Sequence, residues 1–273
     1  MIALYNKDCF EGMKSIEPNS VKLVLTDPPF KCTDIWWDAQ NINLEKFKQS
    51  LRWCCDKRAI LVSFSLQPFT SYLITTFKRC FKYMIYWDKK RKTGFLNAKK
   101  TPLRQVEEIV VMKVFQSAGK QTYNPQLIKR DKPAITKSGK SKLYIPRGGF
   151  KYGIPIKNEY IYPTNLIQEV VKPSKEKMYF HPTQKPLKLV EWLIKTYSNE
   201  GDLVLDPFSG SATTAVACIN TNRNFIGFEL QPEYFEKAIA RIENAKQLKA
   251  VGSDEIIEQL PIPKKDKRQL YLF

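Results

Sequence analysis

Residues 203–214 read LVLDPFSGSATT, and residues 23–30 read LVLTDPPF, almost the same phrase. Each is a short apolar run closed by Asp-Pro, the pattern of a buried strand that stops abruptly. Strands of this kind recur at 2–5, 21–25, 59–64, 83–87, 109–115, 203–205 and 225–229. Helical spacing separates many of them, at 8–16, 44–55, 71–80, 186–198 and 212–220, and a further amphipathic helix follows at 232–248. Strands alternating with helices predict parallel βαβ units, hence an α/β fold.

The rhythm breaks between about 116 and 177, where Gly119, Gly139, Gly148, Gly149 and Gly153 mix with Pro125, Pro133, Pro146, Pro155, Pro163 and Pro173. This stretch reads as a loop-rich insert. The organisation expected is therefore 1–115 and 178–248 as two halves of one domain, 116–177 as the insert, and 249–273 as a charged tail.

With 45 Lys and Arg against 27 Asp and Glu, the formal net charge is +18, which favours a polyanionic partner. Nucleic acid is the first expectation and an anionic membrane surface the second. Lys129, Arg130, Lys140, Lys142, Arg147 and Lys151 crowd the insert, interleaved with Tyr123, Tyr144, Phe150, Tyr152, Tyr160 and Tyr162. Cations among aromatics and turn residues suit phosphates and bases. The six cysteines form no Cys-x-x-Cys pair, and the single histidine, His181, excludes multi-histidine metal sites. No secretory or membrane-spanning run is evident, so a cytoplasmic protein is expected.

The two Asp-Pro endings suggest different tasks. After 203–205, small residues let the backbone approach a ligand at a helix N-terminus. About twenty residues on, the next strand ends NFIGFEL, which places Glu229 where dinucleotide folds bind ribose hydroxyls. A tight strand-to-helix turn is the other reading, but it leaves Glu229 unexplained. At 27–30, Asp27-Pro28-Pro29-Phe30 offers a carboxylate, a stiff carbonyl and an aromatic face, a match for a planar amine-bearing group. A strand terminator with a surface carboxylate is the alternative there.

Together, TDPPF at 26–30, HPTQKP at 181–186 and DPFSGSATT at 206–214 resemble the β group of S-adenosylmethionine-dependent DNA amino-methyltransferases, in which these motifs occur in this order. The resemblance covers about 1–115 and 178–248 and puts the insert where that family carries its target-recognition region. It implies an open, mostly parallel Rossmann-like sheet with helices on both faces. It also implies that Asp27 and the Pro28 carbonyl grip the target amine, with Pro29 stiffening the turn and Phe30 stacking on a flipped base. Asp206, Pro207, Phe208, Gly210, Ser211 and Thr213 would shape the S-adenosylmethionine loop, with Glu229 on the ribose and Asp8 beside the adenine. His181, Pro182, Thr183, Gln184 and Lys185 would flank the methionine end. Trp87, Lys89 and Glu107 resemble weaker positions on the substrate side.

Three residues depart from the family pattern: Lys7 and Ala212 replace glycines, and Phe30 replaces a commoner tyrosine. Asp in the first position leans toward adenine, with the cytosine amine as the alternative and a catalytically silent DNA-binding protein as a rival of another class. Gln269, Leu270, Leu272 and Phe273 resemble the peptide with which bacterial proteins dock on the sliding clamp; a terminus folded back as an edge strand accounts for them equally. A homodimer is compatible with the sequence.

Overall fold

The computed structural model describes residues 1–30, 42–116, 119–135, 157–168, 179–181 and 183–251. In chain order the elements are β1 (Ile2–Asn6), α1 (Cys9–Met13), β2 (Val21–Thr26), α2 (Leu44–Cys54), β3 (Cys55–Ser65), α3 (Phe69–Phe77), β4 (Phe81–Thr93) and β5 (Arg104–Lys113). They continue with β6 (Ile128–Ile135), β7 (Lys157–Ile161), β8 (Leu166–Ile167), α4 (Leu187–Tyr197), β9 (Leu203–Asp206), α5 (Thr213–Asn220), β10 (Asn224–Glu229) and α6 (Pro232–Ala250).

Eight strands form one sheet in the order β1-β10-β9-β2-β3-β5-β4-β8. The pairs are parallel except where β5 runs antiparallel to β3 and β4. Chain direction explains the exception. β4 and β5 are joined as a hairpin through a 3-10 turn at Phe95–Asn97, entered by Gly94 at φ +91°, a backbone region that favours glycine. The hairpin carries β4 well beyond the 83–87 run expected from apolar residues alone, because its outer half is cationic and solvated.

The sheet is buried on both faces, and the strands alternate accordingly. Leu23, Leu25 and Val204 face a core that includes Leu193, Ala215 and Ile242 of α4, α5 and α6. Val24 and Leu205 face the opposite core, with Met13, Leu51 and Leu73 of α1, α2 and α3. Each of the larger of these side chains contributes roughly 1.5–3 kcal/mol relative to exposure. Among the described residues no helix is long and apolar enough to cross a membrane.

Two compact units result, Met1–Asn124 with Asn165–Phe273, and Pro125–Thr164. The smaller one lies inside the 116–177 span read from the sequence. Asn124 belongs with the larger unit because its amide donates to the Ser198 carbonyl (3.1 Å), and Leu166–Ile167 because it pairs with Tyr86–Trp87. In the smaller unit β6 and β7 pair antiparallel, with Ile128 opposite Ile161.

Candidate active site

Register builds the site. β2 and β9 are parallel neighbours, with Val21 opposite Leu203 and Val24 opposite Leu205. Their carboxyl ends, Asp27 and Asp206, therefore emerge side by side where the strand order turns in opposite directions toward β3 and β10. Ligands of open α/β sheets bind at such a point. A cleft with about 1220 Å³ of empty space, its open mouth included, lies there.

The loop after β9 is held from three sides. Asp206, 4% exposed, accepts a hydrogen bond from the Thr214 hydroxyl (2.6 Å) and one from the Phe208 N–H (3.2 Å). Burial pushes its carboxyl up to about 7, against the opposing pull of these donors. Glu229, at the end of β10, accepts from the Gly210 N–H with Oε2 and from the Gln231 N–H with Oε1, both at 2.8 Å. Burial raises this carboxyl too. From α6, buried Arg241 donates to the Ser211 carbonyl (3.0 Å) and the Thr213 hydroxyl (2.8 Å).

Close approach of β10 to the loop explains Gly227, where a Cβ would fall 2.3 Å from the Ser209 hydroxyl oxygen. Two loop residues take left-handed conformations, Gly210 at φ +49° and Ala212 at φ +55°. Glycine accepts that freely, but alanine does so at a cost of about 1–2 kcal/mol.

Asp8 caps α1, accepting from the N–H groups of Phe10 (2.9 Å) and Glu11 (3.1 Å). It lines the cleft with Phe208, Glu229, His181, Thr183 and Gln184. His181 packs against Tyr234 at 4.3 Å between ring centroids, and Thr183 donates its N–H to the ring Nδ1 at 3.3 Å. Burial, then the charge of Lys185, lowers the imidazole to about 4, so it is neutral near pH 7.

Past the end of β2, Asp27 Oδ2 lies 2.7 Å from Lys185 Nζ, which also reaches Glu107 Oε1 at 2.9 Å. Lys185 lines the cleft, as the sequence led one to expect, and its ammonium engages these two carboxylates. Burial would lower the Lys185 ammonium, yet Asp27 and Glu107 hold it above the ordinary range. Burial would raise Glu107, yet Lys185 and Lys89 hold it below. Pro29 lines the cleft, as do Pro207, Ser211 and Thr213. Pro28 and Phe30 are not part of that lining; the Phe30 ring tilts against Phe69 at 5.4 Å.

Of the expected DNA-facing cations, Lys129 and Arg130 lie on β6, the first exposed and the second half-buried. Lys140, Lys142, Arg147 and Lys151 lie outside the described residues, as do Pro182, Gln269, Leu270, Leu272 and Phe273. Arg241 and Thr214 complete the site without belonging to the residues expected from the sequence. Arg241 carried a signal nonetheless, since it occupies the buried stripe Ala238, Arg241, Ile242, Ala245 of α6, a core position at helical spacing.

A family model described as DNA methylase matches residues 21–240. The type II methyltransferase M1.MboII of Moraxella bovis is 27% identical over 261 residues, spanning 86% of this chain and 94% of that protein. The crystal structure of the M1.HpyAVI–SAM complex superposes with TM-score 0.59 at 27% identity, covering 89% of this chain and 99% of that one. The PvuII DNA methyltransferase, described as cytosine-N4-specific, is similar in fold, with TM-score 0.58 at 18% identity over 92% of this chain and 93% of its own.

Proposed function

We propose that this chain, which belongs to the DNA methylase family, methylates the exocyclic amine of adenine in duplex DNA. Its methyl donor is S-adenosylmethionine, which supplies an electrophilic methyl group on a sulfonium. The cleft suits such a donor by the chemistry of its lining: Asp8, Asp27 and Glu229 favour a cation and hydroxyl groups, and Phe10 and Phe208 offer apolar faces. Asp8, Glu229, the 206–213 loop and the 181–184 segment would hold it.

The observation that carries the reading is the β2–β9 register, which sets Asp27 beside the small-residue loop. An aromatic amine is a poor nucleophile because its lone pair is delocalised into the ring. Asp27 and the Pro28 carbonyl would accept hydrogen bonds from its two N–H groups, favour a pyramidal nitrogen and stabilise the positive charge that develops there as the methyl group leaves the sulfonium. With His181 held neutral and packed on Tyr234, the acceptor chemistry falls to Asp27.

A base inside a duplex cannot enter the cleft, so the target rotates out of the stack at a cost of a few kcal/mol. Cations suited to holding the phosphates meanwhile include exposed Lys129 of β6 and the exposed Lys90, Arg91, Lys92, Lys99, Lys100 and Arg104 of the β4–β5 hairpin. Asp at position 27 favours adenine over cytosine.

Mass spectrometry of nucleosides from unmodified DNA, treated with the protein and S-adenosylmethionine, tests the proposal. N6-methyldeoxyadenosine is expected. N4-methyldeoxycytidine would reassign the base, and unmodified nucleosides despite calorimetric cofactor binding would leave only a DNA-binding role.

A further inference from the structure

Asp27 ends a row of alternating charges drawn from four separate segments. Lys185 Nζ lies 2.7 Å from Asp27 Oδ2 and 2.9 Å from Glu107 Oε1, and Lys89 Nζ lies 3.5 Å from Glu107 Oε2. The Lys185 and Glu107 side chains are only 11% and 12% exposed, so neither charge is tolerable there without the other. The ammonium also sits 4.9 Å from the centre of the Phe64 ring, which further confines it.

We propose that Lys185 is a positioning residue that orients the Asp27 carboxylate for the target amine, while Glu107 offsets the Lys185 charge so that Asp27 still attracts that amine. The inference rests on the methyltransferase reading above. An isolated Asp27–Lys185 pair would be neutral overall and would offer little to a nitrogen turning cationic. Adding Glu107 gives the trio a net negative charge. Lys89, farther off and 24% exposed, is partly screened by solvent and restores less of the balance. Lys185 therefore fixes where the carboxylate stands, and Glu107 keeps its charge effective.

The groups that face this trio are Lys89 of β4, His181 of the preceding loop and Asp206 of β9, whose carboxyl feels Asp27. Lys185→Met, Lys185→Arg, Glu107→Gln and the Lys185→Met/Glu107→Gln pair are assayed with saturating DNA and S-adenosylmethionine across the pH range. Lys185→Met is expected to lower kcat about 100-fold, with cofactor and DNA affinity little changed. Its acid limb should move to higher pH, because two carboxylates lose their shared counter-ion. Lys185→Arg should recover much of the loss, and Glu107→Gln should lower kcat about tenfold without raising the acid limb.

A Lys185→Met enzyme with wild-type kcat and an unmoved acid limb overturns the proposal, and an unaltered kcat in Glu107→Gln overturns the part given to Glu107. If Lys185→Met does not fold, the double variant, with its charge rebalanced, takes its place: a comparable loss of kcat supports the proposal and wild-type kcat overturns it. An inactive wild-type protein would instead refute the methyltransferase reading itself.

Discussion

The ends of β2 and β9 carry nearly the same words and hold their carboxylates in opposite ways. Asp27, with its side chain 22% exposed, is paired with an ammonium. Asp206, 4% exposed, receives neutral donors among the described residues, and burial pushes it up to about 7. The first arrangement sets a carboxylate against a cation at a partly exposed position. The second makes the carboxyl an internal brace that ties strand, loop and helix together. Similar local chemistry thus places one carboxylate against a cation and the other among neutral donors, and desolvation and partner identity make the difference.

Substitutions at the two ends should separate these roles. Asp27→Ala should lower kcat by about 10²–10³-fold while calorimetric affinity for S-adenosylmethionine stays near wild type; near-normal turnover would dissolve the contrast. Glu229→Gln, on the cofactor side, replaces an acceptor of two backbone N–H groups with an amide that can satisfy only one through its oxygen. A hydrogen bond to a charged group contributes about 1.5–3 kcal/mol, so cofactor affinity should fall roughly 10- to 100-fold, with kcat at saturation less affected.

Asp206→Asn should act on stability and its pH dependence. From 3.8 in the unfolded chain the carboxyl rises to about 7 in the folded one. Between those values the native state keeps a proton that the unfolded state has released. This contribution is therefore complete below the lower value and is lost as pH rises through the upper one, at up to about 1.4 kcal/mol per pH unit. Thermal melts of the cofactor-free proteins should show Asp206→Asn gaining on wild type from pH 4 to 7, and parallel curves would contradict the buried-brace reading. The smallest effect belongs to Ala212→Gly. Relief of the left-handed strain, offset by greater freedom of glycine in the unfolded chain, should leave a gain of about 0.5 kcal/mol, seen as a melting point higher by a degree or two.

Much of this was legible in the residues. The 44–55 helix expected from spacing is found as Leu44–Cys54, and the 225–229 strand as Asn224–Glu229. Apolar periodicity in a doubly covered sheet reports burial directly, which is why these elements were readable. The β4–β5 hairpin was less so: its outer half buries little, so no apolar pattern announces it, and nothing local declares that β5 runs antiparallel. The residues of the loop after β9 assemble around one cleft together with Glu229 and Asp8. Lys185 shows the limit of that reading. Its motif places it near the cleft, but only packing brings its ammonium to a carboxylate 158 residues away.

By itself the sequence determined the two strand ends, their order, the small-residue loop with its acid on the next strand, and the basic character of the chain. These follow from local rules, since apolar runs bury, Asp-Pro stops them and small residues admit a ligand. Tertiary structure alone decided that β2 and β9 are neighbours in register, that Arg241 braces the loop, and that Asp27 meets Lys185 while Asp206 meets hydroxyl and amide donors. The reason is physical. The state of a buried carboxylate depends on what surrounds it within a few ångströms, and those neighbours come from distant parts of the chain.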